Sequence, residues 1–510
     1  MGLFNRKTSK LVDTASNGTN NSTNSLKSPT SQKPTNGFTF NSPSMPDITL
    51  PSPPDPTLDP AAYLRSIYAV RARSKIIFEH ARRGQLKHFD VDVAKFRETA
   101  DYVVAIIKVR TPTRTCHAAA QLTGVPVPQR DYAPDYHKIP PHGRWQHFEA
   151  GGRPRVDQLL ASWPSSVDSQ ERTRRLLDLF LVSVLLDAGA GPRWSYKSKE
   201  SGKVYRRSEG LAVASLEMFK AGYFSSEQLE PCQVDGAGLK RLNVQQLAKG
   251  LQVSETNPIS GLEGRAGLLS RLGDAMNNAS LFGKDGRPGN MLDYLLSHPS
   301  THAASVPIVT LPTLWSVLIN GLASIWPESR TRINGVPLGD AWPCSSMPES
   351  PPAQPWENIV PFHKLTQWLC YSLMVPMSKL LHIQFAGADL LTGLPEYRNG
   401  GLLIDTGLLT LKAKDSERGL ANFRNNAMQK GQPSMEVVPL FSTEDDVIVE
   451  WRAVTVGFLD QLLPEVNRSL GLQGPDQLTL AQMLEAGTWK VSLHVQQYLC
   501  NKDRTMTDPA

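Results

Sequence analysis

The chain has 510 residues, of which 40% are hydrophobic and 20% are charged, and its formal net charge is +6. This composition is typical of a globular protein, and so small an excess of basic residues, spread along the chain, argues against nucleic acid as a partner. The five cysteines are never spaced as CxxC, so we expect reduced thiols and a cytoplasmic location, with the nucleus as a second compartment.

The N-terminal residues 1–57 are rich in Ser, Thr, Asn and Pro. Such a segment buries too little apolar surface to offset the entropy lost on ordering, so we predict a disordered tail. Regular structure is predicted to begin with a helix that Asp59 caps, that carries Pro60 in its first turn and that ends at Gly84. A second helix is predicted at about residues 91–109, where apolar residues recur at helical spacing.

The remainder, to about residue 505, is predicted to form one large, mainly α-helical domain with few strands. Apolar residues recur with a helical period between Gly and Pro turns, and alternating strand patterns are scarce. Between residues 111 and 155 this period vanishes, which indicates an ordered loop that covers the core. Further helices are predicted at residues 170–188, 208–220, 264–278, 290–297, 311–326, 358–382, 401–412 and 446–463.

Several classes of protein are disfavoured by what the sequence lacks. The apolar stretches are shorter than the ~18 to 20 residues that a bilayer requires, and the first residues lack the apolar core of a signal peptide, so no membrane partner is expected. The sequence contains no GxSxG, HExxH, P-loop or EF-hand motif. His137, His142 and His147 recur every five residues, which does not place them on one helix face. We therefore expect neither a metal nor a cofactor.

The segment LTGLPEYRNGGLLIDTGLL, residues 391–409, is the strongest candidate for a site. Gly and Pro residues break the chain on both sides of a short turn that displays Glu396, Tyr397 and Arg398 together. Charged groups in an apolar run are costly to bury unless they are paired or used, so this turn indicates function. The alternative is a structural ion pair between Glu396 and Arg398 that ties two helices together.

Other candidate residues also lie at breaks beside apolar helices. Asp187 ends a helix where the dipole disfavours negative charge, so it requires a ligand, a partner or the backbone amides of the GAG turn that follows. Trp194 follows it and could form a wall for a planar or sugar-like ligand. Glu209 begins a helix, where capping also explains a carboxylate. Asp340 lies in a turn and His363 precedes a long helix, although a lone His is more often structural.

A series of long segments resembles the uracil-catabolism protein 4 family, for many years a domain of unknown function. The resemblance extends over about residues 58–500 and is carried by RWQHFEAGG, LLDAGAGPRWSY, RSEGLAVASLEMF, GRAGLLSRLG, LWSVLINGLASIWP, PLGDAW, VPFHKLTQWLCYSL, LTGLPEYRNGGLLIDTGLL and DDVIVEWRAVTV. LLDAGAGPRW and PEYRNGGLLIDTGLL are in addition distantly similar to the LDSLNFSFW and ADYRVPQ segments of the queuosine-salvage nucleosidases. Those helical proteins are related in fold to helix-hairpin-helix DNA glycosylases and hydrolyse an N-glycosidic bond.

These resemblances imply a role in uracil catabolism, with hydrolysis of the N-glycosidic bond of a ring-opened uridine, a ribosylurea-type compound, to release urea. Glu396 stands where the nucleosidases have their catalytic Asp, Tyr397 and Arg398 match the Tyr and Arg that follow it, and Asp187 matches the Asp of the LDS segment. Glu is one methylene longer than Asp, and NGG replaces VPQ, so the acid is aimed differently or the pocket is wider.

The expected partner is therefore a small nucleoside or nucleotide derivative, with protein partners left open. The alternative is a ligand-binding or scaffolding component of the same pathway that performs no reaction. We expect the residues in question to share one pocket. The expected catalytic residues are Glu396, Asp187 and His363, and the expected substrate-binding residues are Arg398, Tyr397, Trp194, Asp340 and Glu209.

Overall fold

A computed structural model of the protein describes residue 46 and residues 48–108, 132, 135–191, 193–347, 354–427 and 438–490. Most of the tail predicted at residues 1–57 lies outside the described residues. Its described part, residues 48–57, has no regular structure, but the Pro51 carbonyl accepts a hydrogen bond from the Tyr68 hydroxyl at 2.5 Å. The chain thus contacts the helical domain several residues before the predicted boundary at residue 58.

The described residues form a mainly α-helical fold, which confirms the predicted fold class. Short 3-10 segments and one π-helical turn, Leu484–Thr488, connect some of the helices. The α-helices are α1 (Pro60–Arg65), α2 (Ile67–Arg82), α3 (Lys95–Lys108), α4 (Arg144–Phe148), α5 (Arg155–Ser162), α6 (Ser169–Leu185), α7 (Arg207–Lys220), α8 (Gly236–Arg241), α9 (Val244–Gly250), α10 (Leu262–Ala275), α11 (Ala279–Phe282), α12 (Met291–Ser297), α13 (Leu311–Gly321), α14 (Lys364–Leu381), α15 (Tyr397–Asp405), α16 (Ala413–Ala427), α17 (Asp446–Leu470) and α18 (Leu480–Met483).

The strands are short and form small separate sheets. The strands are β1 (Phe89–Val91), β2 (Ser195–Lys197), β3 (Val204–Arg206), β4 (His302–Ala303), β5 (Pro307–Thr310), β6 (Arg332–Ile333), β7 (Val336–Pro337), β8 (Ala341–Pro343), β9 (Ile359–Pro361), β10 (Gln384–Ala386) and β11 (Leu409–Leu411). Antiparallel pairs are formed by β1 with β11, β2 with β3, β6 with β7 and β8 with β9, while β5 pairs antiparallel with β4 and parallel with β10.

The predicted helices overlap observed ones, with differences at their ends. The first predicted helix is two helices, because Ser66 adopts an extended conformation and caps α2. The helix predicted at 358–382 begins only at Lys364, since the preceding residues pair as strand β9 with β8. The helix predicted at 401–412 ends at Asp405, and the residues after it form strand β11 against β1. Tertiary pairing, which no local pattern specifies, sets these ends.

The prediction of a loop that covers the core at residues 111–155 is wrong for the described part of that segment. Arg144, Trp145, His147 and Phe148 form helix α4 and are buried. A helix of five residues is too short to show an apolar period, so the pattern could not reveal it. The segment belongs to the core and supplies a wall of the site described below.

The long helices α6, α14 and α17 organise the core around the candidate site. Helix α14 packs on α6, and α17 packs on α2 and α15. Two glycines of the motif at 391–409 allow α17 to approach, because a Cβ on Gly393 would lie 2.4 Å from Leu459 and one on Gly400 would lie 2.4 Å from Trp451. These glycines serve backbone packing. No helix in the described ranges is both long enough and apolar enough to cross a bilayer.

His88, in the segment between α2 and β1, contacts side chains of both α16 and α17. Its Nδ1 lies 3.0 Å from an Asp415 oxygen and its Nε2 lies 2.9 Å from an Asp446 oxygen. Burial disfavours the imidazolium, but the hydrogen bonds to Asp446 and Asp415 outweigh it and raise the pKa of His88 to about 9. Because this folded-state pKa exceeds the ordinary 6.5, the contact contributes fully below about pH 6.5 and is lost as pH rises through 9.

We therefore expect His88→Gln to lower the unfolding free energy by roughly 2 kcal/mol at pH 6, with a smaller loss at pH 10. Thermal unfolding of the two proteins across this pH range measures the difference. His302→Gln, at an exposed position, controls for the general effect of replacing a His. A loss that is the same at pH 6 and pH 10 would contradict an ionic contact.

Candidate functional site

The ends of four helices meet at a cavity of about 130 Å³. Helices α7, α14 and α15 begin in its wall and α6 ends there, while the first turns of α17 complete it. Apolar cavities of comparable size hold a six-membered ring, so a small molecule fits. Its polar and charged lining residues are Asp187, Arg207, Ser208, Asp340, Lys364, Glu396, Tyr397, Thr443 and Arg452.

Glu396 is held in this wall by the backbone of the helix that it caps. Its two carboxylate oxygens accept hydrogen bonds from the N–H groups of Arg398 and Asn399, at 2.9 Å and 2.8 Å. Burial raises the pKa of Glu396, and the N–H groups together with the charges of Arg398 and Lys364 oppose that rise. Since each oxygen can accept more than one hydrogen bond, the fixed carboxylate can still accept hydrogen bonds from a molecule in the cavity.

Asp187 lies in the same wall, just beyond the last turn of α6. One of its oxygens accepts a hydrogen bond from Nη1 of Arg144 at 2.8 Å. Burial raises the pKa of Asp187, and the charge of Arg144 and a hydrogen bond from Ser208 oppose the rise. The dipole of α6 disfavours a negative charge at this end of the helix, and the Arg144 guanidinium compensates for that effect.

Arg144 is a functional candidate that the sequence reasoning missed. Its side chain is fully buried, its Nε donates to the Ser183 hydroxyl at 2.8 Å, and its Nη1 also lies 3.3 Å from Nδ1 of His147. Its Nη2 has no hydrogen-bond partner among the residues that the structure describes. The only sequence signal was RWQHF itself, in a segment without helical period. Arg144 orients Asp187 from behind the cavity wall.

Asp340 lines the cavity, where it was predicted to bind substrate, but donors of the protein occupy its carboxylate. Its oxygens accept hydrogen bonds from both terminal nitrogens of Arg452, at 2.8 Å and 2.7 Å, from Nε1 of Trp342 at 2.8 Å and from the N–H of Lys364 at 3.0 Å. Burial opposes ionisation, but the Arg452 guanidinium holds the pKa of Asp340 well below its usual range. Four donors occupy the four acceptor positions of a carboxylate, so Asp340 is a structural anchor.

Trp194 and His363 do not line the cavity that the sequence predicts them to share. Trp194 is buried, and its indole N–H donates to the Leu251 carbonyl at 2.9 Å. His363 is also buried, with Nε2 2.7 Å from the Leu64 carbonyl. Burial lowers the pKa of His363, so the ring is neutral and ties α1 to the start of α14. Both residues sit at the breaks that suggested function, but they face the core.

Arg398 and Glu209 also lie outside the lining of the cavity. The Arg398 guanidinium stacks 4.4 Å from the ring of Trp489, Nη1 donates to the Trp489 carbonyl at 2.8 Å, and Nε lies 3.1 Å from the Tyr397 hydroxyl. It thereby supports two residues that do line the cavity. The Glu396 carboxylate binds backbone N–H groups, so the alternative ion pair with Arg398 does not form. Glu209 occupies the first turn of α7, where its charge is favourable.

Two cationic side chains and an aromatic wall complete the site, and the sequence reasoning missed them all. Lys364 lines the cavity, and its charge acts to lower the pKa of both Asp187 and Glu396. Arg207 lines the cavity with a left-handed backbone, φ 54°. The aromatic wall is formed by four tryptophans, which have no diagnostic spacing in the sequence because they come from separate elements. They are Trp326, Trp368, Trp451 and Trp489.

The arrangement is suited to acid–base chemistry on a small polar molecule. Two buried carboxylates whose pKa values are raised share one cavity, and aromatic rings form much of its wall. The rings of Trp368 and Trp489 are nearly parallel, with centroids 6.0 Å apart. Raised carboxyl pKa values in a largely apolar cavity are a property of sites that transfer protons.

Comparison with known proteins links the chain to one family. The family described as "Protein of unknown function (DUF1688)" matches residues 63–121 and 113–505. "Uracil catabolism protein 4" of Lachancea kluyveri is 41% identical over 444 residues, which cover 86% of this chain and 94% of that protein. "Protein urg3" of Schizosaccharomyces pombe is 41% identical over 430 residues, or 84% of this chain and 92% of that protein.

Proposed function

The chain belongs to the DUF1688 family, and on that premise we propose that it acts in uracil catabolism, as the name of its Lachancea kluyveri relative suggests. We further propose that it hydrolyses the N-glycosidic bond of a ring-opened uridine of the ribosylurea type and releases urea. The observation that carries this proposal is the presence of Asp187 and Glu396, two buried carboxylates far apart in sequence, in the wall of one small cavity.

We assign two roles to Glu396: it activates the attacking water, and it stabilises the positive charge on the sugar. Cleavage of an N-glycoside develops positive charge on the ribose ring, which an adjacent carboxylate stabilises. Two backbone N–H groups hold the Glu396 carboxylate, and a hydrogen bond to the charged form favours that form. The ionised carboxylate can then accept a proton from the water that attacks C1′.

We assign Asp187 as the acid that protonates the leaving group, because urea leaves poorly unless its nitrogen is protonated. With His363 in the core, Asp187 is the remaining predicted acid, and burial raises its pKa. In the reaction the C1′–N bond breaks and a C1′–O bond forms. Glu396 receives a proton from water, and Asp187 delivers its own proton to the departing nitrogen, so that ribose and urea are released.

The aromatic wall supports this assignment. Tryptophan rings exclude bulk water from the cavity, and flat rings pack against the apolar face of a sugar. Tyr397 belongs to the same wall, and Arg398 fixes its hydroxyl. Water exclusion strengthens the interaction between Glu396 and a positively charged ribose ring.

Incubation of the purified protein with ribosylurea, followed by mass spectrometry, tests the proposal. We expect equal amounts of urea and ribose, with ¹⁸O from labelled water in the ribose and none in the urea. Tight binding of ribosylurea without release of urea would overturn the hydrolase and favour the alternative, a ligand-binding component of the pathway.

A further inference from the structure

Arg207 differs from the other arginines around the cavity because none of the described residues is its partner. Arg144 binds Asp187, Arg452 binds Asp340, and Arg398 binds the Trp489 carbonyl. Arg207 lines the cavity, yet no residue in the described part of the chain forms a hydrogen bond or an ion pair with it. Within the described part of the chain, the Arg207 guanidinium therefore presents unused donors at the cavity.

The groups near Arg207 exert opposing electrostatic effects on it. Tyr397 and Glu209 act to raise the pKa of Arg207, while Arg398 and Arg206 act to lower it, and neither Tyr397 nor Glu209 forms a described hydrogen bond or ion pair with it. The Arg207 side chain is half-buried, and this burial is the largest influence on its pKa and lowers it. A cation in such a place is costly unless a counter-ion joins it.

Two of the three acids that line the cavity already have arginine partners. Arg452 binds Asp340, and Arg144 binds Asp187 from behind the wall. These acids are therefore not the partners of Arg207, which also lines the cavity. Arg207 also begins the fourteen-residue helix α7, whose N-terminus lacks a side-chain cap and adds partial positive charge. A ligand with a negative group would supply the partner that Arg207 lacks among the described residues.

We propose that Arg207 binds a phosphate monoester of the substrate, so that the site takes a phosphorylated ribosylurea in preference to the free compound. The planar guanidinium fork matches phosphate oxygens. Ribosylurea itself has no ionised group, so esterification of a ribose hydroxyl is the simplest source of the negative charge. The identity of the sugar rests on the proposed function, but the phosphate subsite does not.

The kinetic test compares ribosylurea with its 5-phosphate for three proteins. We expect the native protein to prefer the phosphate, and Arg207→Gln to lower kcat/KM for the phosphate about 10- to 100-fold, mainly through KM. The same variant should lower kcat/KM for free ribosylurea by a much smaller factor, so that the preference for the phosphate falls. Arg206→Gln, which removes the exposed neighbouring charge, is the matched control and should behave as the native protein.

A binding test separates this inference from the proposed function. Calorimetric titration with ribose 5-phosphate should show binding by the native protein that Arg207→Gln weakens by the same factor. Arg207→Gly should also weaken it while the protein stays folded, because Gly adopts a left-handed backbone without strain.

If ribose 5-phosphate binds through Arg207 but neither compound is hydrolysed, the phosphate subsite stands and the hydrolase fails. If both compounds are hydrolysed with equal kcat/KM, the hydrolase stands and the phosphate subsite is overturned. Tighter Arg207-dependent binding of a pentosyl compound that bears a carboxylate instead of phosphate would also overturn it.

Discussion

Replacement of Glu396 by Gln is expected to lower kcat for a ribosylurea-type substrate by ~10² to 10⁴ or more. Loss of a general base alone has an effect of this size, and loss of the charge beside an oxocarbenium-like sugar adds to it. Gln keeps the size of the side chain, so ground-state binding should change little and the loss should appear in kcat rather than KM. Single-turnover kinetics with quantified urea measures it.

The same change should cost a little stability, because Glu396 is the N-cap of α15. Gln can still accept a hydrogen bond through one oxygen, so we expect the unfolding free energy to fall by about 1 kcal/mol. Asp235→Asn is the matched control: Asp235 is a buried N-cap that accepts from the N–H groups of Ser226 and Gly238, at 2.6 Å and 2.7 Å, and it does not line the cavity. It should lose similar stability and no turnover. Full activity per folded molecule in Glu396→Gln would contradict a catalytic role and show that Glu396 only caps α15.

Local signals in the sequence led to part of this site. Asp187, Glu396 and Tyr397 were recognisable because a charged or polar group beside a Gly or Pro break in an apolar run is unusual over a few residues. The same signal selected His363 and Trp194, which the structure places in the core. A break in the chain shows where a helix ends, but it does not determine which side of that end faces a cavity.

The residues that complete the site depend on contacts between distant parts of the chain. Arg144 meets Asp187 across 43 residues of sequence, from a helix too short to show a period. Arg207 and Lys364 are ordinary surface residue types at helix starts, and only the packing of α7 and α14 around the cavity turns them inward. The fold class was easier to predict, because long amphipathic helices carry their pattern within each segment.

Removal of Arg144 is expected to have the largest effect on stability. Arg144→Met leaves the Asp187 carboxylate buried without its counter-ion, and breaking a buried ion pair in this way typically costs about 3 to 5 kcal/mol. Asp187→Asn should cost a similar amount, since it leaves a buried guanidinium unpaired. The double variant, which removes both charges, should recover part of the loss. Urea denaturation of the four proteins gives the coupling energy.

The pH dependence of the reaction then shows whether this pair does more than hold the fold together. Loss of the Arg144 charge removes the influence that lowers the pKa of Asp187, so the pKa should rise further in Arg144→Met. If Asp187 donates the proton to urea, kcat/KM of that variant should persist to higher pH than in the native protein. Arg452→Met breaks the buried pair with Asp340 in the same cavity wall. It should cost comparable stability while the alkaline limb of the pH profile stays in place. An alkaline limb that moves in neither variant would leave Arg144 and Asp187 as a structural pair, and the proton donor would have to be sought elsewhere in the cavity.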